Sequence, residues 1–298
     1  MILTGFESIT WPREPLAIHT TFGIGGPAEV FVIPRTVAEL RAVVSVCSRL
    51  GLPLRVLGRG SNLLVADEGV HGVVVFTQEL DRIEQRGTAI IAQAGAFVPA
   101  LVRQAAKWGL AGLEPLVGIP GTVGGALAMN AGGRHGTISA VLRRVTVIER
   151  DGALSTLDRA AIEFAHRHSS LKGRVIAEAE FSLSSAPPGQ VVRRCESILA
   201  DKKRTQPMSA RSAGCMFRNP PGASAGALID RAQLKSHRVG GAHVSAKHAN
   251  FIVNDGTARA RDVLALMRVV RSRVAEQFHV QLENEVELWG FDQPRAAK

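Results

Sequence analysis

The sequence predicts a globular protein of mixed helices and strands, α+β or α/β over its first 110 residues. Two observations carry this prediction: a capped amphipathic helix followed by short apolar strands, and a strong hairpin signal near the middle of the chain. At 298 residues and 46% hydrophobic content, the chain can bury a substantial core. That length indicates two or three domains.

The elements of the first half follow from local patterns. Thr36-Val-Ala-Glu39 is a capping box, and apolar residues then recur at helical spacing until Gly51. This spacing places Cys47 on the buried face. The further elements predicted here are strands at Leu54–Leu57, Val73–Phe76 and Ala89–Ala94 and a helix at Val98–Trp108.

In the second half, Asp151-Gly152 separates two apolar runs and predicts a hairpin. Ser184–Gly189, rich in serine and proline, is interpreted as a linker. The elements predicted around these signals are strands at Val141–Arg150, Ala153–Leu157 and Val175–Leu183, a helix at Val191–Arg204 with Cys195 on its apolar side, and a helix at Arg261–Phe278.

The stretch Gly109–Gly133 carries eight glycines among small side chains, and its only charge is Glu114. A membrane span is disfavoured, because glycine and proline at this density would leave backbone groups unpaired in lipid. We interpret the stretch as a loop whose bare N–H groups approach a phosphate or a flat ring. A glycine-rich hairpin or core crossing is the structural alternative.

A second glycine segment, Gly58-Arg59-Gly60-Ser61-Asn62, follows the strand at Leu54–Leu57. Its consecutive amides and its arginine suit a pyrophosphate. The segment leads into another apolar strand rather than a helix, so it is not the dinucleotide fingerprint of a Rossmann domain.

The net charge of +10 fits either nucleic-acid binding or small phosphate-bearing ligands. The cations are interspersed with acids, and the main run, Asp201–Arg204, is interpreted as a solvated helix end that complements the helix dipole. With no tyrosine and 5% aromatic residues, few side chains could stack on bases. We therefore expect phosphate-bearing small ligands and no nucleic acid.

Cys47, Cys195 and Cys215 are three cysteines without C-x-x-C spacing, which predicts neither a disulfide framework nor a metal site. The N-terminal stretch Met1–Ser8 shows no basic segment followed by an apolar block. We expect a cytoplasmic protein that does not bind a membrane.

Six motifs in order resemble the UDP-N-acetylenolpyruvoylglucosamine reductase family, over about residues 19–290. They are Thr21–Ala28, Gly58–Leu64, Gly118–Ala126 with Met129–Gly132, Ser212–Pro220, Lys247–Asn254 and Leu282–Val286. The absence of tyrosine and the short path from Phe181 to Val191 resemble the subgroup without a tyrosine-bearing lid.

The resemblance implies an α+β fold with two regions. Residues 1–184 would form a two-lobed FAD-binding region of the vanillyl-alcohol-oxidase type, with lobes of about 1–76 and 77–184. Residues 185–298 would form an α+β substrate-binding domain. We expect a monomer.

The implied reaction uses FAD and NADPH. NADPH reduces the FAD and leaves, and the enolpyruvyl ether of UDP-N-acetylglucosamine then takes a hydride from flavin N5. Protonation next to the carboxylate gives UDP-N-acetylmuramate, a precursor of peptidoglycan.

By matching motifs, the resemblance assigns three catalytic residues. Arg167 would stabilise the enolate, because a bidentate guanidinium suits a carboxylate. Cys215 replaces the usual serine proton donor, and a thiol with a reference pKa of about 8.5 is still protonated at neutral pH. Glu285 matches the catalytic glutamate. Glu283 and Glu287 would alternate with it on one strand, so the motif rather than the spacing selects Glu285.

The remaining assignments are binding residues. Substrate contacts are expected at Arg167, Asn219, Lys247 and His248, and FAD contacts at Gly58, Arg59, Gly60, Ser61, Asn62, Leu63, Ile119, Pro120, Gly121, Thr122, Gly125, Ala126 and Asn130. Two positions depart from the family pattern: Thr205 stands where a lysine is usual, and His166 where a tyrosine is usual.

Two other classes remain open. A different FAD-dependent oxidase or dehydrogenase of the same fold would keep both glycine segments without needing Arg167, Cys215 and Glu285 together. A nucleic-acid-binding protein is the non-enzyme alternative, and it would purify colourless and bind DNA with a steep salt dependence.

Overall fold

The computed structural model describes residues 4–291; Met1–Leu3, part of the N-terminal stretch interpreted above, and residues 292–298 lie outside it. The chain forms two compact units. Unit 1 comprises Met1–Pro12, Val30–Arg59 and Gly72–Lys202, and unit 2 comprises Arg13–Glu29, Gly60–His71 and Lys203–Lys298. The linear domain boundaries expected at residues 76 and 184 stay predictions.

The described residues contain six α-helices. They are α1 (Val37–Arg49), α2 (Val98–Lys107), α3 (Val123–Ala128), α4 (Pro188–Thr205), α5 (Ala225–Arg231) and α6 (Ala260–Phe278). Short 3-10 turns cover Glu7–Ile9, Leu16–His19, Glu114–Leu116, Ile138–Ala140 and Arg159–Ala161.

The strands within residues 4–291 are mostly short. In chain order they are β1 (Thr10–Pro12), β2 (Ala28–Val32), β3 (Leu54–Leu57), β4 (Leu63–Val65), β5 (Val70–Phe76), β6 (Ile83–Arg86), β7 (Ala89–Gln93), β8 (Leu110–Ala111), β9 (Gly132–Gly133), β10 (Gly136–Thr137), β11 (Leu142–Ile148), β12 (Leu154–Asp158), β13 (Phe164–Ala165), β14 (His168–Ser169), β15 (Val175–Ser182), β16 (Ser184–Ser185), β17 (Arg238–Val239), β18 (Ala242–Val244), β19 (Ile252–Asn254) and β20 (Glu287–Trp289).

The first core of unit 1 contains α1 and part of a four-stranded sheet of order β1-β2-β5-β3. Thr36 caps α1 as predicted, because its side chain accepts the Glu39 N–H at 3.1 Å. The Glu39 carboxylate accepts the Arg35 N–H at 2.7 Å. The first bond satisfies an amide that the helix start leaves without a partner, and the second ties the residue before the cap to the first turn.

The second core of unit 1 combines α2 and α3 with a five-stranded antiparallel sheet of order β12-β11-β15-β7-β6. The predicted hairpin at Asp151-Gly152 is confirmed: Gly152 has φ +87°, and β11 pairs with β12 from Arg144↔Asp158 to Ile148↔Leu154. Phe181, fully buried on β15, belongs to this core.

Unit 2 packs α5 and α6 with the three-stranded sheet β17-β18-β19. Asp67 receives the first amides of α6, those of Ala260 at 2.8 Å and Arg261 at 3.2 Å. A carboxylate at this end also complements the helix dipole. Strand β4 pairs in parallel with β20, so that Leu63 lies beside Glu287.

Two predictions of local structure are wrong. The stretch interpreted as a linker is not separate from its surroundings, because Ser184–Ser185 pairs with Leu110–Ala111 and Pro188 already begins α4. The glycine-rich loop contains a short helix, α3. Glycine's low helix propensity concealed it.

Cys47 gives a direct test of the α1 core. Its side chain is 1% exposed, and burial raises the pKa of its thiol to about 11. We therefore expect Cys47 to resist a thiol-specific chromogenic reagent at pH 8 in the native protein and to react in denaturant. Rapid labelling of all three cysteines without denaturant would contradict this packing.

Candidate active site

The predicted site residues divide between the two units. Unit 1 holds Gly58, Arg59, Ile119, Pro120, Gly121, Thr122, Gly125, Ala126, Asn130 and Arg167, and unit 2 holds Gly60, Ser61, Asn62, Leu63, Cys215, Asn219, Lys247, His248 and Glu285.

In unit 1, the two glycine segments meet at Gly58 and Thr122. A Cβ atom added at Gly58 would overlap the Thr122 hydroxyl, so only glycine allows this approach. Arg59 is exposed and lies over the Phe97 ring, 5.3 Å from its centroid. The glycine segment that follows β3 thus contacts the start of α3.

The first amides of α3 already have protein partners. Val123 and Gly124 donate to Ala96 O and Ala94 O at 2.9 and 2.8 Å, and Gly125 donates to the Thr122 hydroxyl at 3.4 Å. The Ala126 N–H donates to Thr122 O. The bare N–H groups expected of this stretch are therefore not these four.

Asn130 lies just after α3 in the left-handed region, with φ +45°. Its Nδ2 donates to Ala165 O at 3.0 Å. Its Oδ1 is buried and has no hydrogen-bond partner within residues 4–291. A buried acceptor without a donor is costly, so this oxygen is suited to a ligand N–H or O–H.

Arg167 occupies the two-residue turn between β13 and β14. Its backbone is left-handed, with φ +55°, a conformation that costs free energy in a residue with a side chain and is found often at functional sites. Its Nη1 donates to Gly132 O at 3.0 Å. The buried Ser169 hydroxyl anchors the same hairpin to Leu127 O at 2.8 Å.

Helix α4 contacts the glycine-rich stretch through charged side chains. Lys202 Nζ donates to Pro115 O at 3.3 Å and Val117 O at 2.6 Å. Burial, together with the Arg167 charge, lowers the pKa of Lys202 to about 8. The interpretation of this basic run as a solvated helix end is therefore wrong for Lys202, although Lys203 is exposed.

In unit 2, Cys215 and Glu285 lie on adjacent segments. Glu285 N–H donates to the carbonyl of Met216, the residue after Cys215, at 2.9 Å, and Arg218 N–H donates to Glu283 O at 2.9 Å. Cys215 itself is bridged to Phe251. The structure thus brings two of the three predicted catalytic residues together within one unit.

The three glutamates of this segment do not share one strand, contrary to the prediction. Only Glu287 belongs to a strand. The Glu283 side chain is 78% exposed and lies 4.0 Å from Arg218, whereas Glu285 is half-buried. The lower exposure of Glu285 therefore distinguishes it from Glu283, and the motif selects the same residue.

The end of the glycine segment Gly58–Leu63 supports Glu285. Asn62 Nδ2 donates to Glu285 O at 3.0 Å, and Asn62 O accepts the Glu287 N–H at 3.0 Å. Gly60, with φ +56°, passes within close contact of the backbone at His19 and Thr20. Ser61 is half-buried beside it.

The substrate-binding predictions fall on less buried side chains of unit 2. Asn219 Oδ1 accepts the Ala225 N–H at 3.0 Å, at the start of α5. Lys247 is exposed and donates to Lys203 O. In each case part of the side chain's bonding capacity is already used within unit 2.

The surroundings of His248 favour a neutral ring with a hydrogen-bond donor at Nε2. Its Nδ1 accepts the Asn250 N–H at 3.3 Å, so Nε2 carries the proton in the neutral ring. Burial lowers the pKa of His248, and the Lys235 charge acts in the same direction. The ring can therefore offer an Nε2–H to a polar ligand at neutral pH.

Sequence reasoning missed Asn250 as a structural support of the site. It is 3% exposed, and its side chain accepts the Phe217 N–H at 3.0 Å and donates to Phe217 O at 2.7 Å. Asn250 O accepts the Met216 N–H at 2.8 Å. Its place in the Lys247–Asn254 motif was the available signal.

A cavity of about 450 Å³ lies elsewhere, on one face of the five-stranded sheet. Charged and polar side chains line it, including Arg144 and Glu180, which form an ion pair. None of the predicted site residues lines this cavity.

Within residues 4–291, no cluster of three His, Cys, Asp or Glu side chains is placed to hold a metal ion. No helix in this described part of the chain combines the length and the apolar character that a membrane crossing requires.

Comparison with known proteins defines the class first. Residues 28–158 match the model of the FAD binding domain family. A solvent-stable cholesterol oxidase shares the fold over 62% of this chain and 40% of its own, with 20% identity and a TM-score of 0.50. The predicted α+β FAD-binding fold is confirmed, and the fold defines the chain as an FAD-binding protein.

The family follows from closer relatives. Residues 206–289 match the C-terminal domain of UDP-N-acetylenolpyruvoylglucosamine reductase. The reductase of Moorella thermoacetica is 43% identical over 96% of this chain and 95% of its own. The crystal structure of the Thermus caldophilus enzyme is 43% identical, covers 93% of this chain and 98% of its own, and has a TM-score of 0.82. This chain belongs to the UDP-N-acetylenolpyruvoylglucosamine reductase family, and it is therefore an FAD-dependent oxidoreductase.

The residues of unit 1 fit FAD on structural grounds. Asn130 Oδ1 is a buried acceptor awaiting a donor. The amides of Gly121 and Thr122 form no hydrogen bond with other residues in the described range 4–291. A flavin ring or a phosphate can satisfy groups of this kind.

Gly58 tests the close approach of the two glycine segments. Gly58→Ala would push a methyl group into the Thr122 hydroxyl that caps α3. We expect FAD affinity to fall at least tenfold, roughly 1.4 kcal/mol, as measured by flavin fluorescence titration. Gly133→Ala is the matched control, because its Cβ would meet open space. Unchanged affinity in the Gly58 variant would contradict the proposed cofactor contact.

Proposed function

We propose that this protein reduces the enolpyruvyl ether of UDP-N-acetylglucosamine to UDP-N-acetylmuramate, with NADPH as the electron donor. The observation that carries the proposal is the backbone hydrogen bond of 2.9 Å between Glu285 and Met216, which places the segment that carries the motif carboxylate beside the segment that carries the motif thiol. Two relatives named as UDP-N-acetylenolpyruvoylglucosamine reductases, each 43% identical to this chain, support it. We also propose a cytoplasmic monomer that acts in peptidoglycan synthesis.

Reduced FAD, when bound, would supply the hydride that reaches the substrate. NADPH would then reduce the oxidised FAD again. Gly58, Arg59, Gly121, Thr122 and Asn130 in unit 1 would hold it. The other residues expected to contact it are Gly60, Ser61, Asn62, Leu63, Ile119, Pro120, Gly125 and Ala126. Because four α3 amides are already bonded, Gly125 and Ala126 would contribute through van der Waals contact.

Arg167 would stabilise negative charge on the substrate. Addition of hydride to the vinyl carbon remote from the carboxylate leaves a carbanion next to that carboxylate, and the charge spreads onto its oxygens. A guanidinium can bind both oxygens in a fork. The left-handed turn and the bond to Gly132 O restrict where this guanidinium can lie, so little reorganisation is needed.

Cys215 would then donate the proton. Its S–H bond breaks, a C–H bond forms at the carbon next to the carboxylate, and the thiolate later regains a proton from water. Glu285 is the second polar group that assists this charge change. His248, through Nε2–H, together with Asn219 and Lys247, would bind the diphosphate and sugar region.

The activity assay is direct. NADPH oxidation should depend on the enolpyruvyl ether, and mass spectrometry should show a product carrying two additional hydrogens. NADPH oxidation that proceeds equally well with oxygen alone, while the ether is recovered unchanged, would instead indicate an oxidase of the same fold.

Cys215 variants separate the half-reactions. Cys215→Ala should leave flavin reduction by NADPH nearly intact and slow substrate reduction by about 10²-fold to 10⁴-fold, as expected for a lost general acid. Cys215→Ser should keep substantial turnover because it retains an O–H donor. Stopped-flow absorbance measures each half separately. An alanine variant with the wild-type rate would make Cys215 a structural thiol.

Arg167→Lys should also impair only the substrate half-reaction. Lysine keeps the charge but loses the fork geometry, so we expect the rate of reoxidation by substrate to fall at least about tenfold. Arg174→Lys, a change at an exposed arginine of unit 1, is the control. Equal losses in both half-reactions would remove Arg167 from the substrate step.

A further inference from the structure

The contact that joins the Cys215 and Glu285 segments is short. It consists of one isolated bridge, Phe217↔Asn284, with two backbone hydrogen bonds of 2.9 Å and a longer one of 3.5 Å from the Val286 N–H to Met216 O. Regular strand structure resumes only at Glu287. A bridge of this length is marginal by itself, so other groups must fix the position of the Glu285 segment.

Arg271, on α6, contacts both sides of this bridge. Its Nε donates to Leu282 O at 3.2 Å, and its Nη2 donates to Asn284 Oδ1. The guanidinium carbon lies 5.5 Å from the centroid of the Phe217 ring. One side chain thus holds the segment that precedes Glu285 and packs on the segment that follows Cys215.

The chemistry of arginine suits this position. Its planar guanidinium donates along fixed directions and stacks on aromatic rings, whereas a lysine ammonium is a single point charge. Arg271 is half-buried, and burial lowers its pKa, with Arg268 as a second cause. The side chain stays charged because two oxygen acceptors and a ring face replace part of its hydration.

We propose that Arg271 is a positioning residue for proton transfer, holding Leu282–Asn284 against Phe217 and thereby fixing Glu285 relative to Cys215. The inference rests on the proposed function, in which Glu285 and Cys215 act on the substrate. It adds a residue outside the recognised motifs. Arg271 acts through the backbone and through Asn284, and it does not contact the reacting atoms.

The test compares half-reaction rates in three variants of the FAD-loaded enzyme. Arg271→Gln should slow reoxidation by the enolpyruvyl ether by about tenfold to 10²-fold, since small displacements of catalytic groups cost rates of this order. Flavin reduction by NADPH should be unchanged. Arg271→Lys, which can reach only one acceptor at a time, should lose less. Arg273→Gln, at an exposed position on the same helix, should match the wild type.

A purely stabilising role gives a different pattern. It predicts a lower melting temperature and loss of FAD. At temperatures where the variant is folded, the rates of the two half-reactions would fall equally or not at all. Either pattern in the Gln or Lys variant would overturn the inference. If Arg271→Gln fails to fold, Arg271→Lys and Asn284→Ala, which removes one acceptor, decide the question in the same assay.

Glu285→Gln separates this inference from the function on which it rests. If Glu285→Gln and Arg271→Gln both impair only the substrate half-reaction, both proposals are supported. If only Glu285→Gln does so, the role of Arg271 is wrong and the proposed function stands. If Glu285→Gln has no effect on that half-reaction, the catalytic role of Glu285 is wrong, and Arg271 has no positioned acid to support.

Discussion

The proposed chemistry of unit 2 depends on two backbone hydrogen bonds, from Glu285 to Met216 and from Arg218 to Glu283. They join the chain segments that carry Cys215 and Glu285, two residues 70 positions apart in the sequence. Closing so long a chain segment is costly in entropy, and two hydrogen bonds each contribute only about 1 kcal/mol net. The surrounding side chains must supply the rest.

Those side chains are the buried amide of Asn250, the half-buried amide of Asn62 and the guanidinium of Arg271. Asn250 pairs with the backbone of Phe217 as a neighbouring strand would, and Asn62 holds the carbonyl of Glu285. In unit 1 the corresponding constraint is steric. Because Gly58 has no side chain, the Thr122 hydroxyl that caps α3 has space that a larger residue at position 58 would fill. In both units the groups proposed to react or to bind a ligand lie on irregular backbone, and the regular elements position them.

Local signals in the sequence predicted helices α1, α2, α4 and α6 and strands β3, β5, β7, β11, β12 and β15, because capping and periodicity act over a few residues. Thr36 and Asp151-Gly152 are examples in which the local chemistry decides the structure. Helix α3 was missed because its glycines disfavour a helix locally, while Ala94 O and Ala96 O, close only in the folded chain, accept its first amides. Lys202 and Asn250 were missed for the same reason, because their hydrogen-bond partners lie 87 and 33 positions away in the sequence. Arg271 was missed because its stacking partner Phe217 is also distant in the sequence. Motif resemblance selected Glu285 over Glu283, and burial then gave an independent physical reason.

If electrons pass from NADPH through FAD to the enolpyruvyl ether, an anaerobic absorbance spectrum will show each transfer. The purified protein should show the yellow absorbance of oxidised FAD. One equivalent of NADPH should bleach that absorbance, and the ether added without oxygen should restore it. Colour that returns only when oxygen is admitted would contradict the account and indicate an oxidase instead.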